Sequence, residues 1–277
     1  MDKLVSTEWL AARLGAQDLV ILDATMHLPG SERDAQAEFT QRHIPGARFL
    51  DLASFIDPGS SVPKAVPTPA QFAERMRELG VAHGSRIVLY DDSAIRSAAR
   101  AWFLFDHAGE PDVAILDGGL GKWLAEGREV DQGCADHAPR DYAEPPQTRA
   151  IAGKEDMLAN LDSGGAQVVD ARDAARFAGE EGSGSEGHIP GAANVPFGSL
   201  LHEDGTYRTP DEIRARFEAA GVDLDKPVIT SCNSGMTACV LLFGLELAGK
   251  GEAVLYDGSW MEWGADPDTP KESGARN

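Results

Sequence analysis

The chain has 277 residues, 42% of them apolar and 25% charged, and its 25 basic and 45 acidic side chains leave a formal net charge of −20. That length supports two domains with separate cores, the composition is globular, and the acidic surface argues against nucleic acid or an anionic membrane as partner. Three cysteines are too few for a disulfide framework, the first six residues lack a secretory pattern, and no apolar run nears the roughly 20 residues that span a bilayer, so a reducing, cytoplasmic setting is expected.

Short apolar runs alternate with helical patterns along the whole chain. The run 19–22 predicts a strand ending at Asp23, followed by a helix over 71–79, a strand over 86–90, a helix over 97–107, a strand over 113–116 and a helix over 120–126. Residues 128–150 are polar and carry Asp136, Pro139, Pro145 and Pro146, which reads as a linker. Beyond it, 167–169 predicts a strand ending at Asp170, then a helix over 211–220, a strand over 227–230, a helix over 237–247 and a strand over 253–256. The glycine-rich 179–187 reads as a flexible surface loop and the tail after Trp263 as loosely packed. The expected organisation is α/β, with domains over 1–130 and 151–277 joined by 131–150, each a parallel sheet with helices on both faces.

The second half repeats the first. His43-Ile44-Pro45-Gly46-Ala47 returns as His188-Ile189-Pro190-Gly191-Ala192, Thr68-Pro69 as Thr209-Pro210, and Asp117-Gly118-Gly119 with Trp123 as Asp257-Gly258-Ser259 with Trp263. The spacing between copies drifts by only a few residues, so the domain is duplicated. Overlaid on their Asp-Gly motifs, the copies set Cys232 opposite Asp92: one half presents a thiol where the other presents a carboxylate.

Cys232 directly follows a predicted strand and directly precedes a predicted helix, and the crevice beyond strand C-termini is where open α/β sheets bind ligands. The connecting loop is Cys232-Asn233-Ser234-Gly235-Met236-Thr237-Ala238. Gly235 permits a tight turn with backbone N–H groups facing inward, and Thr237 is placed to cap the helix. Such a ring of donors, with the helix N-terminus, stabilises an anion and favours a nucleophilic thiolate. An isolated cysteine is as often a small buried hydrophobe; the loop position and the exchange in the other copy favour chemistry for Cys232. Cys239, inside the following helix, reads as core, and Cys134 has no assigned role.

With the paired His-Ile-Pro-Gly-Ala turns, the Cys232 loop and the run Asp257-Gly258-Ser259-Trp260-Met261-Glu262-Trp263-Gly264, the chain resembles the tandem rhodanese-domain sulfurtransferases over nearly its whole length. The resemblance implies two tandem rhodanese-like domains, a silent first one, a catalytic second one, and a persulfide carried on Cys232, with no cofactor and no metal. Thiosulfate-type members show Cys-Arg-Lys-Gly-Val-Thr and mercaptopyruvate-type members Cys-Gly-Ser-Gly-Val-Thr; Ser234, Gly235 and Thr237 match the latter, whereas Asn233 and Met236 depart from it. The loop carries no cation, which argues against a dianionic donor. The expected reaction therefore moves sulfane sulfur from 3-mercaptopyruvate to a small thiol, a thioredoxin-like protein or cyanide; a thiosulfate-type enzyme and a non-catalytic binding module are the alternatives. By the same resemblance Cys232, Ser234 and Asp51 are the expected catalytic residues, Arg176 the ligand of the donor carboxylate, and Asn233, Gly235, Met236 and Thr237 the donor-binding loop. Lys64-Ala65-Val66-Pro67 stands where the family shows His-Met-Leu-Pro, and the loop before the second His-Ile-Pro-Gly lacks the family's second arginine, which makes Lys64 the candidate for the missing charge.

Other residues read as structural. His43 and His188 open the same turn in both halves, Asp23 and Asp170 end the same strand, and Trp123 and Trp263 read as packing residues. Arg172 reads as half of a strand-end salt bridge. No Cys/His spacing suits zinc, no glycine-rich loop suits a nucleotide, and the Cys-x5-Arg of a thiol phosphatase fails because its arginine position is Ala238.

Overall fold

The computed structural model describes residues 1–134 and 137–274; Asp136 of the proline-bearing stretch and the tail residues 275–277 lie outside it. The chain divides into two units, one formed by Met1–Asp57, Val66–Arg149 and Glu203–Thr206, the other by Pro58–Ala65, Ala150–His202 and the chain from Tyr207 onward.

The first unit runs β1 (Leu4–Val5), α1 (Thr7–Ala11), β2 (Leu19–Asp23), α2 (Ala35–Gln41), β3 (Arg48–Phe49), α3 (Pro69–Glu78), β4 (Arg86–Tyr90), α4 (Ala98–His107), β5 (Val113–Leu116) and α5 (Gly119–Ala125). The second repeats the sequence of elements as β6 (Ile151–Ala152), α6 (Lys154–Ser163), β7 (Gln167–Asp170), α7 (Ala174–Ala178), β8 (Ala193–Asn194), a 3₁₀ turn (Phe197–Leu200), α8 (Pro210–Ala219), β9 (Val228–Ser231), α9 (Ala238–Leu247), β10 (Val254–Tyr256) and α10 (Ser259–Trp263). Each unit holds a five-stranded sheet, ordered β1-β5-β4-β2-β3 and β6-β10-β9-β7-β8. All strand pairs are parallel.

Local chemistry sets these elements. The central strands are buried on both faces, so they are apolar runs without alternation: Ile87, Val88, Leu89 and Tyr90 of β4 are all buried. Helices α3 and α8 both open with Thr-Pro. Thr68 and Thr209 accept the N–H of the third helical residue, whose Gln71 or Glu212 side chain returns the bond, and the proline occupies the first turn without needing a donor. Helix α9 is apolar almost all round and is buried from Ala238 through Leu245.

The His-Ile-Pro-Gly turns serve structure in both halves. His43 stacks on Phe39 at 4.1 Å with Nδ1 2.8 Å from the Phe39 carbonyl; His188 stacks on Phe177 at 3.7 Å with Nδ1 2.7 Å from the Phe177 carbonyl. Each histidine also pairs its backbone with a downstream residue, Asp131 or Glu272. Trp123 and Trp263 are buried, and each indole donates to a carbonyl beyond its helix, Glu129 and Pro270, at 2.8 Å. The tail is therefore not loose as far as residue 274. The Thr269 hydroxyl donates to the Trp263 carbonyl at 2.5 Å and the Gly274 N–H to the Ala178 carbonyl at 2.8 Å, contacts that composition alone does not reveal. Among the described residues no helix is long and apolar enough to cross a membrane.

Candidate active site

Cys232 follows β9, which lies between β10 and β7 in the interior of the second sheet. Its side chain is buried. Gly235 turns the loop with φ +70°, a conformation that favours glycine. The turn brings two backbone donors onto one hydroxyl: Cys232 N–H and Gly235 N–H reach Ser259 Oγ at 3.1 and 3.2 Å. Ser259 donates in turn to the Tyr256 carbonyl at 2.8 Å, and its Oγ lies 4.0 Å from Cys232 Sγ. Ser259 is fully buried and holds φ +50°. That conformation costs a serine about 1–2 kcal/mol, which three hydrogen bonds of about 1 kcal/mol each offset.

The loop is fastened on two further sides. Trp260 N–H donates to the Cys232 carbonyl at 3.1 Å and Met261 N–H to the Asn233 carbonyl at 2.8 Å, tying the first turn of α10 to it. The Cys239 thiol donates to the Gly235 carbonyl at 3.1 Å, tying α9 to it. No acceptor among the described residues takes the backbone N–H of Asn233, Ser234, Met236 or Thr237, nor the hydroxyl of the buried Ser234. Thr237 occupies the N-cap position of α9 but makes no capping bond, contrary to expectation. Its backbone is already helical at φ −74°, ψ −17°, whereas a capping side chain needs an extended N-cap residue. The start of α9 thus also keeps open donors beside the thiol.

Strand register corrects the overlay of the two halves. Asp23 pairs with Tyr90 and Asp170 with Ser231, so the residue opposite Cys232 is Asp91 and not Asp92. The Leu120 N–H donates to the Asp91 carbonyl at 3.0 Å, as Trp260 does to that of Cys232. Six residues separate Asp91 from Ala98 and five separate Cys232 from Ala238, which is why an overlay on the Asp-Gly motifs slips by one. Asp91 Oδ1 accepts the Ser93 N–H at 2.9 Å and Oδ2 the Ala98 N–H at 2.8 Å. Burial pushes this carboxyl up to about 6 against those two bonds. Asp92 instead pairs with Arg33 at 2.8 Å.

The remaining expected site residues are more dispersed. Arg176, on α7, is exposed and paired with Asp173 at 2.9 Å. Asp51 is held by its own turn, Oδ1 accepting the Ala53 N–H at 3.0 Å and Oδ2 the Ser54 hydroxyl at 2.5 Å. Lys64 is half-buried with φ +56°, on the Pro58–Ala65 segment that groups with the Cys232 unit. Arg172 forms the expected buried pair with Asp170, Nη2 to Oδ2 2.6 Å, and lies 4.7 Å from the centre of the Trp260 ring. The pair therefore backs the residue that holds the Cys232 carbonyl. Cys239 is core, as expected, and Cys134 is exposed. Among the described residues no three His, Cys, Asp or Glu side chains converge as a metal ion would need.

Ser259 is the residue of this arrangement that sequence reasoning missed. The signal was present: Ser259 replaces Gly119 of the first half, at the same left-handed backbone position, φ +57° for Gly119. The comparison that singles out Cys232 singles out Ser259 too.

A family model for the rhodanese-like domain matches residues 6–126 and 154–266. The chain is 41% identical over 270 residues to 3-mercaptopyruvate sulfurtransferase of Mus musculus, covering 94% of this chain and 91% of that protein. It is 37% identical over 271 residues to thiosulfate sulfurtransferase of Bos taurus, with the same coverage of 94% and 91%. The crystal structure of the 3-mercaptopyruvate sulfotransferase SseA from Escherichia coli superposes with a TM-score of 0.86 at 38% identity, covering 94% of this chain and 99% of that one. The duplicated sheets, the Cys232 loop and these full-length matches agree, and the chain belongs to the tandem rhodanese-domain sulfurtransferases.

Proposed function

We propose that this sulfurtransferase takes its sulfur from 3-mercaptopyruvate and carries it as a persulfide on Cys232, in a catalytic domain over 151–277, with 1–130 non-catalytic. The observation that carries the reading is the nucleophile loop, in which a thiol sits among unused backbone donors with no cationic side chain. The Cys232 thiolate attacks the donor sulfur, the S–S bond forms as the carbon–sulfur bond breaks, and the electron pair leaves on the enolate of pyruvate. The proton of the donor's S–H group, passed through the Ser234 hydroxyl to the enolate carbon, completes pyruvate and leaves the persulfide as an anion. The persulfide anion then rests against the open N–H groups of the loop, where fixed dipoles stabilise it without reorganisation. An acceptor thiolate or cyanide attacks the outer sulfur, takes it as a persulfide or thiocyanate, and returns the Cys232 thiolate.

Asn233, Met236 and Thr237 act through their open backbone N–H groups, and Gly235 by turning the loop that presents them. Arg176 exchanges Asp173 for the donor carboxylate, a bidentate match for a planar guanidinium, and Lys64 supplies the second positive charge. The family resemblance is what supports a catalytic role for Asp51. A thioredoxin-like protein or a small thiol in a reducing cytoplasm is the physiological acceptor. The thiosulfate reading is favoured by the 37% identity to the bovine enzyme and by a similar likeness to that of Gallus gallus. The loop weighs against it, because a dianion gains least from a cradle without a cation. Mass spectrometry of Cys232 after incubation with each donor, with steady-state kcat/KM for both, decides. A larger value for thiosulfate overturns the donor assignment, and a loaded Cys232→Ser variant overturns the mechanism.

A further inference from the structure

The two halves differ at a second place, where the helix after each edge strand ends. In the first unit this place is filled. Arg48, on edge strand β3, donates through Nη1 to the carbonyl of Leu79, which ends α3. A Cβ added at Gly80 would lie 2.7 Å from the Ala138 carbonyl oxygen and 3.2 Å from Arg48 Nη1. The chain runs on along this face: Arg140 N–H donates to the Arg77 carbonyl at 3.3 Å, and the buried Tyr142 stacks on His83 at 3.9 Å. An extended segment and a guanidinium together cover the helix end.

In the second unit Gly221 takes the place of Gly80, Ala220 that of Leu79 and Ala193 that of Arg48. Nothing lies within 4 Å of a Cβ built at Gly221. A groove of about 790 Å³ opens there, lined by Phe177, Ala193, Asn194, Ala219, Ala220 and Gly221 among others, none of them charged. The carbonyls of Ala219 and Ala220 accept no hydrogen bond among the described residues. They stand at the C-terminal, electronegative end of α8, in a chain of net charge −20.

We infer that this groove receives an extended, arginine-bearing segment of a basic partner protein, its guanidinium on the Ala220 carbonyl as Arg48 lies on Leu79 in the other half. Replacing arginine by Ala193 makes the room, the duplicated backbone keeps the acceptor, and the acidic chain attracts a basic partner. The inference does not depend on the sulfur chemistry.

The probe is the capped synthetic peptide of residues 137–143, the sequence that covers the first groove, titrated into the full chain while amide signals of Ala193 and Gly221 are followed by NMR. Those signals shift, and Arg140→Glu in the peptide weakens binding by roughly tenfold or more. Ala193→Arg, which refills the groove from within, abolishes binding and leaves sulfur transfer unchanged; Ala219→Arg, on an exposed position, blocks it by repulsion should the first variant not fold. Absence of shifts at Ala193 and Gly221, or binding that survives both variants, overturns the inference. Dimerisation of the chain that Ala193→Arg abolishes overturns it as well, by identifying a second copy as the occupant.

Discussion

The first loop holds its own anion and the second leaves the same space to a thiol. Asp91 occupies the strand end with both carboxylate oxygens bonded to loop N–H groups, whereas Cys232 stands at the equivalent register with neighbouring donors unused. The difference teaches that the anion cradle belongs to the fold and not to the chemistry. A parallel strand running into a helix builds it in both halves. What the second half adds is a thiol in place of the carboxylate and a hydroxyl, Ser259, in place of the hydrogen of Gly119.

The comparison breaks most completely at the nucleophile. Cys232→Ser removes the atom that carries sulfur and is expected to lower turnover by at least about a thousandfold while the thermal unfolding profile is kept; residual transfer from mercaptopyruvate above that level would mean sulfur travels by another route. Ser259→Ala comes next. It strands the Cys232 and Gly235 N–H groups, each worth about 1–3 kcal/mol when buried and unpaired, and is expected to reduce kcat by about tenfold to a hundredfold. Ser259→Gly restores the residue of the first half and relieves the backbone. If it recovers kcat, strain and not hydrogen bonding is what matters at this position. Arg176→Ala follows, raising KM for mercaptopyruvate by about tenfold or more through one lost charge-assisted bond, with Arg176→Lys recovering only part because a point charge replaces a fork.

A change in stability, read on a different scale from turnover, sharpens the comparison from the first half. Asp91 titrates near 6 when folded, above its unfolded value of 3.8, because burial disfavours its charge. The folded state therefore binds this proton more tightly, so the destabilisation by the buried charge is present above pH 6 and is relieved as pH falls from 6 toward 4. It amounts to about 3 kcal/mol at neutral pH. Denaturation of the full chain across that window, compared with Asp91→Asn, isolates the contribution. Equal pH slopes in the two proteins would show that Asp91 is not the group responsible.

The interior strands were legible because double burial makes them uninterrupted apolar runs, as in 87–90 and 113–116, and the helical stretches 71–79 and 211–220 located α3 and α8, whose Thr-Pro capping boxes start them slightly earlier, at Pro69 and Pro210. Edge strands β1, β3, β6 and β8 are two residues each, too short to show any period, and five-residue helices such as α1 and α7 rest on tertiary contacts that local sequence does not encode. Within the site, Cys232 was readable from its place at a strand end. The identity of its counterpart was not, because the one-residue difference between the loops is invisible until strands pair. Ser259 is marked in the sequence only as a departure from Gly119; what its hydroxyl does was not readable, because the backbone donors it meets lie far away in sequence.

The strap formed by residues 272–274 bears on how the second half is completed. Glu272 pairs with His188 and accepts the Gly191 N–H at 2.8 Å, and Gly274 closes on Ala178 at the end of the helix that carries Arg176. These residues leave the ribosome after the nucleophile does. A nascent or proteolytically clipped chain thus lacks the bonds that hold the end of α7 and the His188 turn to the tail.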